Sequence, residues 1–464
     1  MKRLIKILCL LLITANIIPA VQISGQVNTL TATISGLPDQ MVYLARYYKD
    51  KVLITDSIRS MNGDIHFIFG EAEGPGTRWL LFGSRDIHSW QAQYIEFIYD
   101  RTDLEIYGTF PELSSTIRFV NSEENVMKQK FDLLEDIYSK KFMAILSLLD
   151  TYPSKDEYLE ATGKYFETIQ KKRDDQLMAI SDSFPGTYLS ALISAYRQPV
   201  VRGDLSSEER IAFLREHYFD LSGISNPDLL ASPVYNHRII EYLSLYKVRT
   251  GIADQEKAFE KAVDVIMANT SSDPELRGFV VEYLLGGFES FQMEDIQTYI
   301  ADNYVGENCK TDAVELAMER INGYRKMAVG QTAPDIIIRD NKNKTVCLSD
   351  SRHKYTAVVF WASYCEHCQK MIPDLVEWYN NEKNIDMDIL SVSIDTVTNA
   401  WKKYSSDHQI PWTNAIEPLG WNGKAAGDYN VYATPTIFIL DRKRTILAKP
   451  YTFREFVREV NKLD

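Results

Sequence analysis

Hydrophobic and polar positions follow three different rhythms along the 464 residues. From 26 to 112, short β-branched and aromatic runs recur at Val42-Tyr43-Leu44, Val52-Leu53-Ile54, Ile65-His66-Phe67-Ile68-Phe69 and Trp79-Leu80-Leu81-Phe82. Turn sequences separate them: Gly36-Leu37-Pro38-Asp39, Asn62-Gly63-Asp64 and Gly74-Pro75-Gly76. This spacing predicts a small antiparallel β-sandwich, with Asn62-Gly63 as a hairpin turn.

From 113 to 327 the period becomes helical. Helices are predicted over 123–149, 155–181, 207–218, 232–248, 255–267, 274–288 and 311–327. Ser206-Ser207-Glu208-Glu209 and Asp273-Pro274-Glu275 have the form of helix starts, the second with proline at the first helical position. The pattern has no fixed repeat, so a helical middle domain is expected rather than a solenoid. From 328 to 464 strand-like and helix-like stretches alternate, which predicts an α/β fold with parallel strands. Its opening hairpin is Ile336-Ile337-Ile338 with Thr345-Val346-Cys347-Leu348, turning over Asn341-Lys342-Asn343.

One stretch in this last part carries chemistry. Thr356 to Trp361 has the length and composition of a buried strand. A break at Ala362-Ser363-Tyr364 follows, and Cys365-Glu366-His367-Cys368 then opens a helix that Pro373 is expected to close. The unpaired N–H groups and the macrodipole at a helix start favour a thiolate over a thiol. A helix terminus supplies up to about 2 kcal/mol, and one pKa unit is about 1.4 kcal/mol. The dipole alone can therefore bring a thiol from about 8.5 to near 7. Cys365 at the cap is the expected nucleophile and Cys368, one turn in, the resolving thiol.

Charge and cysteine usage narrow the setting. A net charge of -13 argues against nucleic-acid binding. Met1-Lys2-Arg3-Leu4-Ile5-Lys6 followed by an apolar run to Ala20 reads as a cleaved secretory signal over 1–25. That implies an oxidising envelope compartment such as a periplasm, with no stable membrane insertion after cleavage. Of the five cysteines, Cys9 falls inside the signal. The remaining Cys309, Cys347, Cys365 and Cys368 are too few for a disulfide-stapled scaffold. Cys309 and Cys347 are expected as free or buried thiols rather than as a pair.

Two resemblances add to this reading. Ile34-Ser35-Gly36-Leu37, Val42-Tyr43-Leu44, Asp56-Ser57 and Gly63-Asp64-Ile65-His66-Phe67 resemble a β-sandwich domain of unknown function that precedes many envelope thioredoxin-like domains. The C-terminal part resembles the TlpA/ResA-like thiol-disulfide oxidoreductases of the thioredoxin superfamily. The resemblance is carried by Gly330, Ala333-Pro334, Phe360 to Cys368, and Ala433-Thr434-Pro435-Thr436. It implies that Pro435 is a cis-proline facing the dithiol and that Thr434 offers its backbone to an extended substrate. It implies too that Trp361 and Tyr364 pack under and beside the site and, with Thr434 and Pro435, contact the substrate. Client proteins with disulfides or thiols, a membrane electron donor and no cofactor follow from the same likeness.

The chain also departs from that pattern. Thioredoxin has an acid six residues before the first cysteine, where Val359 stands; the nearest envelope reductases have a glutamate three residues after the second, where Met371 stands. Glu366 and His367 are then the local groups left to tune the thiols. His367 matches strongly oxidising C-P-H-C enzymes and Glu366 matches reductase-like C-E-P-C motifs, so the direction of electron flow stays open. Half a zinc site is disfavoured because a structural site needs four ligands in paired spacing. A peroxidase would need Thr or Ser and Pro just upstream, which Val358 and Ala362 do not supply. The expectation is an envelope reductase or isomerase. Its rival is a ligand- or protein-binding protein with an accessory, weakly active thioredoxin module.

Overall fold

The computed structural model describes residues 28–70, 73–85, 93–248, 251–291, 293–306, 311–340, 342–382 and 384–463. The expected signal sequence, Cys9, Cys309 and Asn341 lie outside the described residues. The chain forms two compact units, Met1–Ile240 and Glu241–Asp464. The helical stretch is therefore divided between a unit begun by the sandwich and a unit ended by the α/β fold.

In the first unit, strands β1 (Thr29–Ser35), β2 (Met41–Tyr48), β3 (Lys51–Arg59), β4 (Asp64–Ile68), β5 (Gly76–Phe82), β6 (Gln93–Tyr99), β7 (Leu104–Thr109) and β8 (Arg118–Phe119) build two four-stranded sheets. Their orders are β4-β1-β7-β8 and β3-β2-β5-β6. Alternation decides what faces inward: Leu30, Ala32 and Ile34 of β1 pack with Ile65, Phe67 and Ile106 against Leu44, Leu80 and Phe97 of the facing sheet. The second sheet buries its outer face as well, through Tyr43, Tyr47, Trp79 and Leu81.

Two expectations for this region are corrected. The sandwich is not wholly antiparallel, because the late strand β7 returns to lie parallel to β1. Asn62-Gly63 does turn the chain, with φ of 56° and 82°, yet it joins no hairpin. β3 pairs with β2 while β4 pairs with β1, so the turn carries the chain from one sheet to the other. Pairing β4 with β1 is what brings Ile65 and Phe67 onto the common core.

Helices α1 (Leu113–Thr116), α2 (Glu123–Thr151), α3 (Glu157–Ser183), α4 (Tyr188–Ala195) and α5 (Ser207–His217) follow, and α6 (Val234–Ser244) begins within the first unit. The buried Asn125 of α2 donates from Nδ2 to Ile98 O (2.8 Å) and accepts from Ile98 N (2.7 Å), so the helix start docks on β6 as a strand would. α5 starts where the sequence placed a helix start, and Ser206 and Glu209 cap it reciprocally. α4 was not legible in the sequence because its eight residues are apolar nearly all round, which gives no helical period to read.

The second unit holds α7 (Ile252–Ala268), α8 (Pro274–Ser290), α9 (Glu294–Tyr304) and α10 (Asp312–Lys326). The opening hairpin β9 (Ile337–Arg339) and β10 (Thr345–Cys347) comes next. Then come β11 (Tyr355–Trp361), α11 (Glu366–Asn381), β12 (Met387–Ser393), α12 (Thr398–Asp407), β13 (Thr413–Ile416), α13 (Lys424–Asp428), β14 (Thr436–Asp441), β15 (Ile446–Ala448) and α14 (Phe453–Val460). The five-stranded sheet runs β13-β12-β11-β14-β15, with β11, β12 and β13 parallel, β14 antiparallel to β11, and β15 antiparallel to β14. Apolar side chains cover both of its faces.

Pro373 does not end the cysteine-bearing helix, as the sequence led one to expect. It sits inside α11, which runs on to Asn381 because Met371, Ile372 and Leu375 are buried against the sheet. Proline lacks the N–H that would reach the carbonyl of Gln369, and the Tyr404 hydroxyl donates to that carbonyl instead (3.4 Å).

Candidate functional site

β11 is the central strand and is buried from Thr356 to Trp361. Where it ends, three pieces of chain meet at one end of the sheet. The first is the Ala362-Ser363-Tyr364 turn. The second is the end of β12, where Ile394 N donates to Trp361 O (2.9 Å) and Asp395 follows. The third is the segment before β14, placed by the pairing of Thr436 with Phe360.

The buried Asp395 fixes the turn. It accepts from Ser363 N (2.9 Å), Ser363 Oγ (2.7 Å) and Ser393 Oγ (2.6 Å). A carboxylate with several donors is well satisfied inside a core, and its direction is set by all of them. Gln369 Nε2 adds a bond to Ser363 O (2.7 Å). Ser363, two residues before the first cysteine, is thus held from the sheet and from the helix.

Cys365 is the N-cap of α11, and its Sγ accepts from Cys368 N (3.4 Å). It is half-buried, while Cys368 is fully buried behind it; both thiols are free. The Thr434–Pro435 peptide bond is cis, as the resemblance implied, and Cys365 Sγ donates to Thr434 O (3.2 Å). The two thiols have different acidities. Burial alone would raise Cys365, but hydrogen bonds from the Cys368 thiol, the Thr434 side chain and the backbone N–H groups of Cys368 and His367 outweigh it. They hold it below the usual thiol value. Burial pushes Cys368 up to about 12, and the bond to Cys365 adds to that. One sulfur is primed to attack and the other stays protonated until something takes its proton.

The other residues singled out from sequence fall into two groups. Tyr364 is 61% exposed beside Cys365, and Glu366 and His367 are exposed on the first turn of α11. Trp361 is fully buried and packs 5.3 Å from the Tyr404 ring. It supports the turn from below and offers no surface to a substrate, so its expected substrate contact is corrected. Val359 and Met371, which stand where related enzymes have carboxylates, are apolar core residues. Cys347 is a free, half-buried thiol. Among the described residues, no group of three or more His, Cys, Asp or Glu is placed to hold a metal ion, and no helix is long and apolar enough to cross a membrane.

Asp395 was missed in the sequence. The signal was there: an acid directly after a buried strand, at the end of the sheet where the cysteine motif also emerges.

Residues 329–449 match the AhpC/TSA family. The chain is 27% identical over 124 residues to the thiol-disulfide oxidoreductase ResA of Bacillus cereus, a match covering 27% of this chain and 70% of that protein. Against ResA of Bacillus subtilis the identity is 25% over 123 residues, covering 26% and 65%. Among solved structures, the thioredoxin domain of a thiol-disulfide oxidoreductase from Bacteroides vulgatus is 29% identical, with a TM-score of 0.27, and covers 29% of this chain and 99% of that one. A thioredoxin-like protein from Bacteroides caccae covers 58% of this chain and 99% of its own at 16% identity, with a TM-score of 0.42.

Proposed function

Because the C-terminal segment is a TlpA/ResA-like member of the thioredoxin superfamily and a thiol-disulfide oxidoreductase, we propose that the chain exchanges disulfides in client proteins of the cell envelope through Cys365 and Cys368. The observation that carries this reading is the pairing of an activated, half-buried cap thiol with a buried, protonated one, opposite the cis Thr434–Pro435 bond.

The Cys365 thiolate attacks one sulfur of a client disulfide. That S–S bond breaks, a mixed disulfide forms, and the first client sulfur leaves as a thiolate. Cys368 then gives up its proton and attacks Cys365 Sγ. The second client thiol departs, leaving the Cys365–Cys368 disulfide. Two electrons have passed to the client, and a membrane electron donor restores them. Thr434 pairs with the client main chain, Pro435 and Tyr364 contact it, and Glu366 and His367 tune the proton exchange. The work is that of a reductase or isomerase, in a compartment reached through the sequence at 1–25.

Three measurements test this. Cys365→Ser must abolish disulfide turnover. Cys368→Ser must accumulate mixed disulfides with clients, since the first step then has no exit. Equilibration with dithiothreitol or glutathione must place the Cys365–Cys368 pair near about -250 mV or lower for a reductase, or near about -180 mV for an isomerase. A value near about -120 mV would instead make the protein a disulfide donor. Unchanged turnover in Cys365→Ser sinks the assignment.

A second reading, ligand capture by the first unit, is favoured by a cleft of about 590 Å³ lined by both polar and apolar residues, among them Arg101, Glu124, Tyr188, Ala191 and Asp228. It would gain ground if Cys368→Ser trapped nothing.

A further inference from the structure

The segment facing Cys365 is held from behind by a helix that lies outside the matched residues 329–449. α10 ends at Lys326, before that match begins, yet it touches the chain leading into Thr434–Pro435 at two points. Asn430 Nδ2 donates to Arg320 O (3.1 Å). The Arg320 guanidinium, which also pairs with Glu289, lies 4.9 Å from the centre of the Tyr432 ring.

Gly323 makes this approach feasible. A Cβ built there would lie 2.0 Å from Asn430 Oδ1 and 2.2 Å from its Cγ. Gly323 is in ordinary helical conformation, so its backbone would accept alanine, and glycine inside a helix is itself unfavourable. What a side chain at 323 cannot do is share space with Asn430. Asn430 has φ of 52°, a left-handed conformation that asparagine and glycine adopt more readily than other residues. The residue at 430 is therefore restricted by its backbone, and its side chain by the helix.

Resting on the redox reading above, we propose that α10 sets the position of the Thr434–Pro435 segment against Cys365, with Gly323 and Asn430 as positioning residues. The helical part is then a structural component of the redox site. Chain between Asn430 and Thr434 is short, so a shift at Asn430 is passed to Thr434, whose carbonyl lies 3.2 Å from Cys365 Sγ.

The test uses the full chain with Gly323→Ala, Asn430→Gly and the two combined. Asn430→Gly keeps the left-handed backbone while removing the side chain that a Cβ at 323 would strike. Two quantities are read: kcat and KM for insulin disulfide reduction, and the pH midpoint of Cys365 alkylation by iodoacetamide. Gly323→Ala should raise KM about tenfold or more and displace the midpoint from the wild-type value as the Thr434 segment shifts against Cys365. Asn430→Gly should raise KM about threefold. The double variant should return to the Asn430→Gly values. A packing role confined to stability would not be relieved in KM and midpoint by deleting a side chain. Wild-type KM and midpoint in Gly323→Ala, or a double variant no better than Gly323→Ala, overturns the proposal. If Gly323→Ala does not fold, Asn430→Gly decides, and wild-type values in it overturn the proposal. Absence of insulin turnover in the unmodified chain would count against the redox reading, and the alkylation midpoints would still decide the role of α10.

Discussion

β5 in the first unit and β11 in the second are both central strands buried on both faces. Only one of them leads to chemistry. The neighbours of β5, namely β2 and β6, are both antiparallel to it. At either end of β5 the chain turns away into loops that start and finish strands in opposite senses. β11 has a parallel neighbour on one side and an antiparallel one on the other. Its C-terminal end therefore meets the C-terminal end of β12 and the N-terminal end of β14. Asp395, the cysteine turn and the cis-proline segment converge there because of strand direction, not because of burial.

This contrast is open to attack at several points, and the largest effect is expected at the two thiols. With Cys365 below the ordinary thiol value and Cys368 near 12, the thiolate populations at pH 8 differ by about a thousandfold or more. Mass spectrometry after brief alkylation should find label on Cys365 with Cys368 bare. Comparable labelling would mean that this end of the sheet does not separate the two sulfurs.

Next is Phe97→Ala in the sandwich core. Truncating a fully buried phenylalanine costs about 3–5 kcal/mol, read as a lowered denaturation midpoint of the first unit. The alkylation rate of Cys365 should not change. A changed rate would break the division between a unit that only packs and a unit that reacts.

Glu256 sharpens the same division inside the second unit. Burial, and then the charge of Asp295, raise its carboxyl to about 7, even though it accepts from Asp295 N (3.0 Å). Between the ordinary value of 4.5 and 7 the folded form binds more protons than the unfolded form. Stability therefore falls as pH rises through that window. Glu256→Gln keeps the accepting oxygen and removes the charge. Chemical denaturation at pH 8 should show a gain of about 3 kcal/mol, fading towards pH 4; a gain independent of pH would contradict the assignment.

Asp395→Asn should have the smallest effect of the four. The amide replaces one acceptor with a donor facing Ser363 and Ser393, loosening the turn without emptying the core. About a tenfold drop in kcat/KM for a disulfide substrate is expected, with the unfolding midpoint little moved.

Much of the α/β part was legible in sequence because the motif dictates its own context. Five apolar residues from Ala357 to Trp361, followed by Cys365 and Cys368, read as a buried strand feeding a helix start. The cis-proline position came from the resemblance, since no local pattern reveals that a segment near residue 435 faces residue 365. Asn430 and Gly323 were invisible for the same reason: their meaning is one close contact between positions far apart in the chain. In the sandwich, Asn62-Gly63 was correctly read as a tight turn, but turn chemistry specifies a reversal and not the partner of the next strand. That choice is made by where Ile65 and Phe67 can be buried.

Pro373 has one more consequence. A regular helix can rotate a few degrees about its own axis because every rung of its ladder is alike. α11 has one rung missing, and the vacated carbonyl of Gln369 is tied to Tyr404, a residue of α12 that also rests on Trp361. The helix is thereby keyed, like a shaft with a flat, and its angular setting about the sheet is indexed one turn beyond Cys365. Closing the dithiol to a disulfide then calls first on the side-chain torsions of Cys365 and Cys368, since the helix start is tied at Gln369 on both sides.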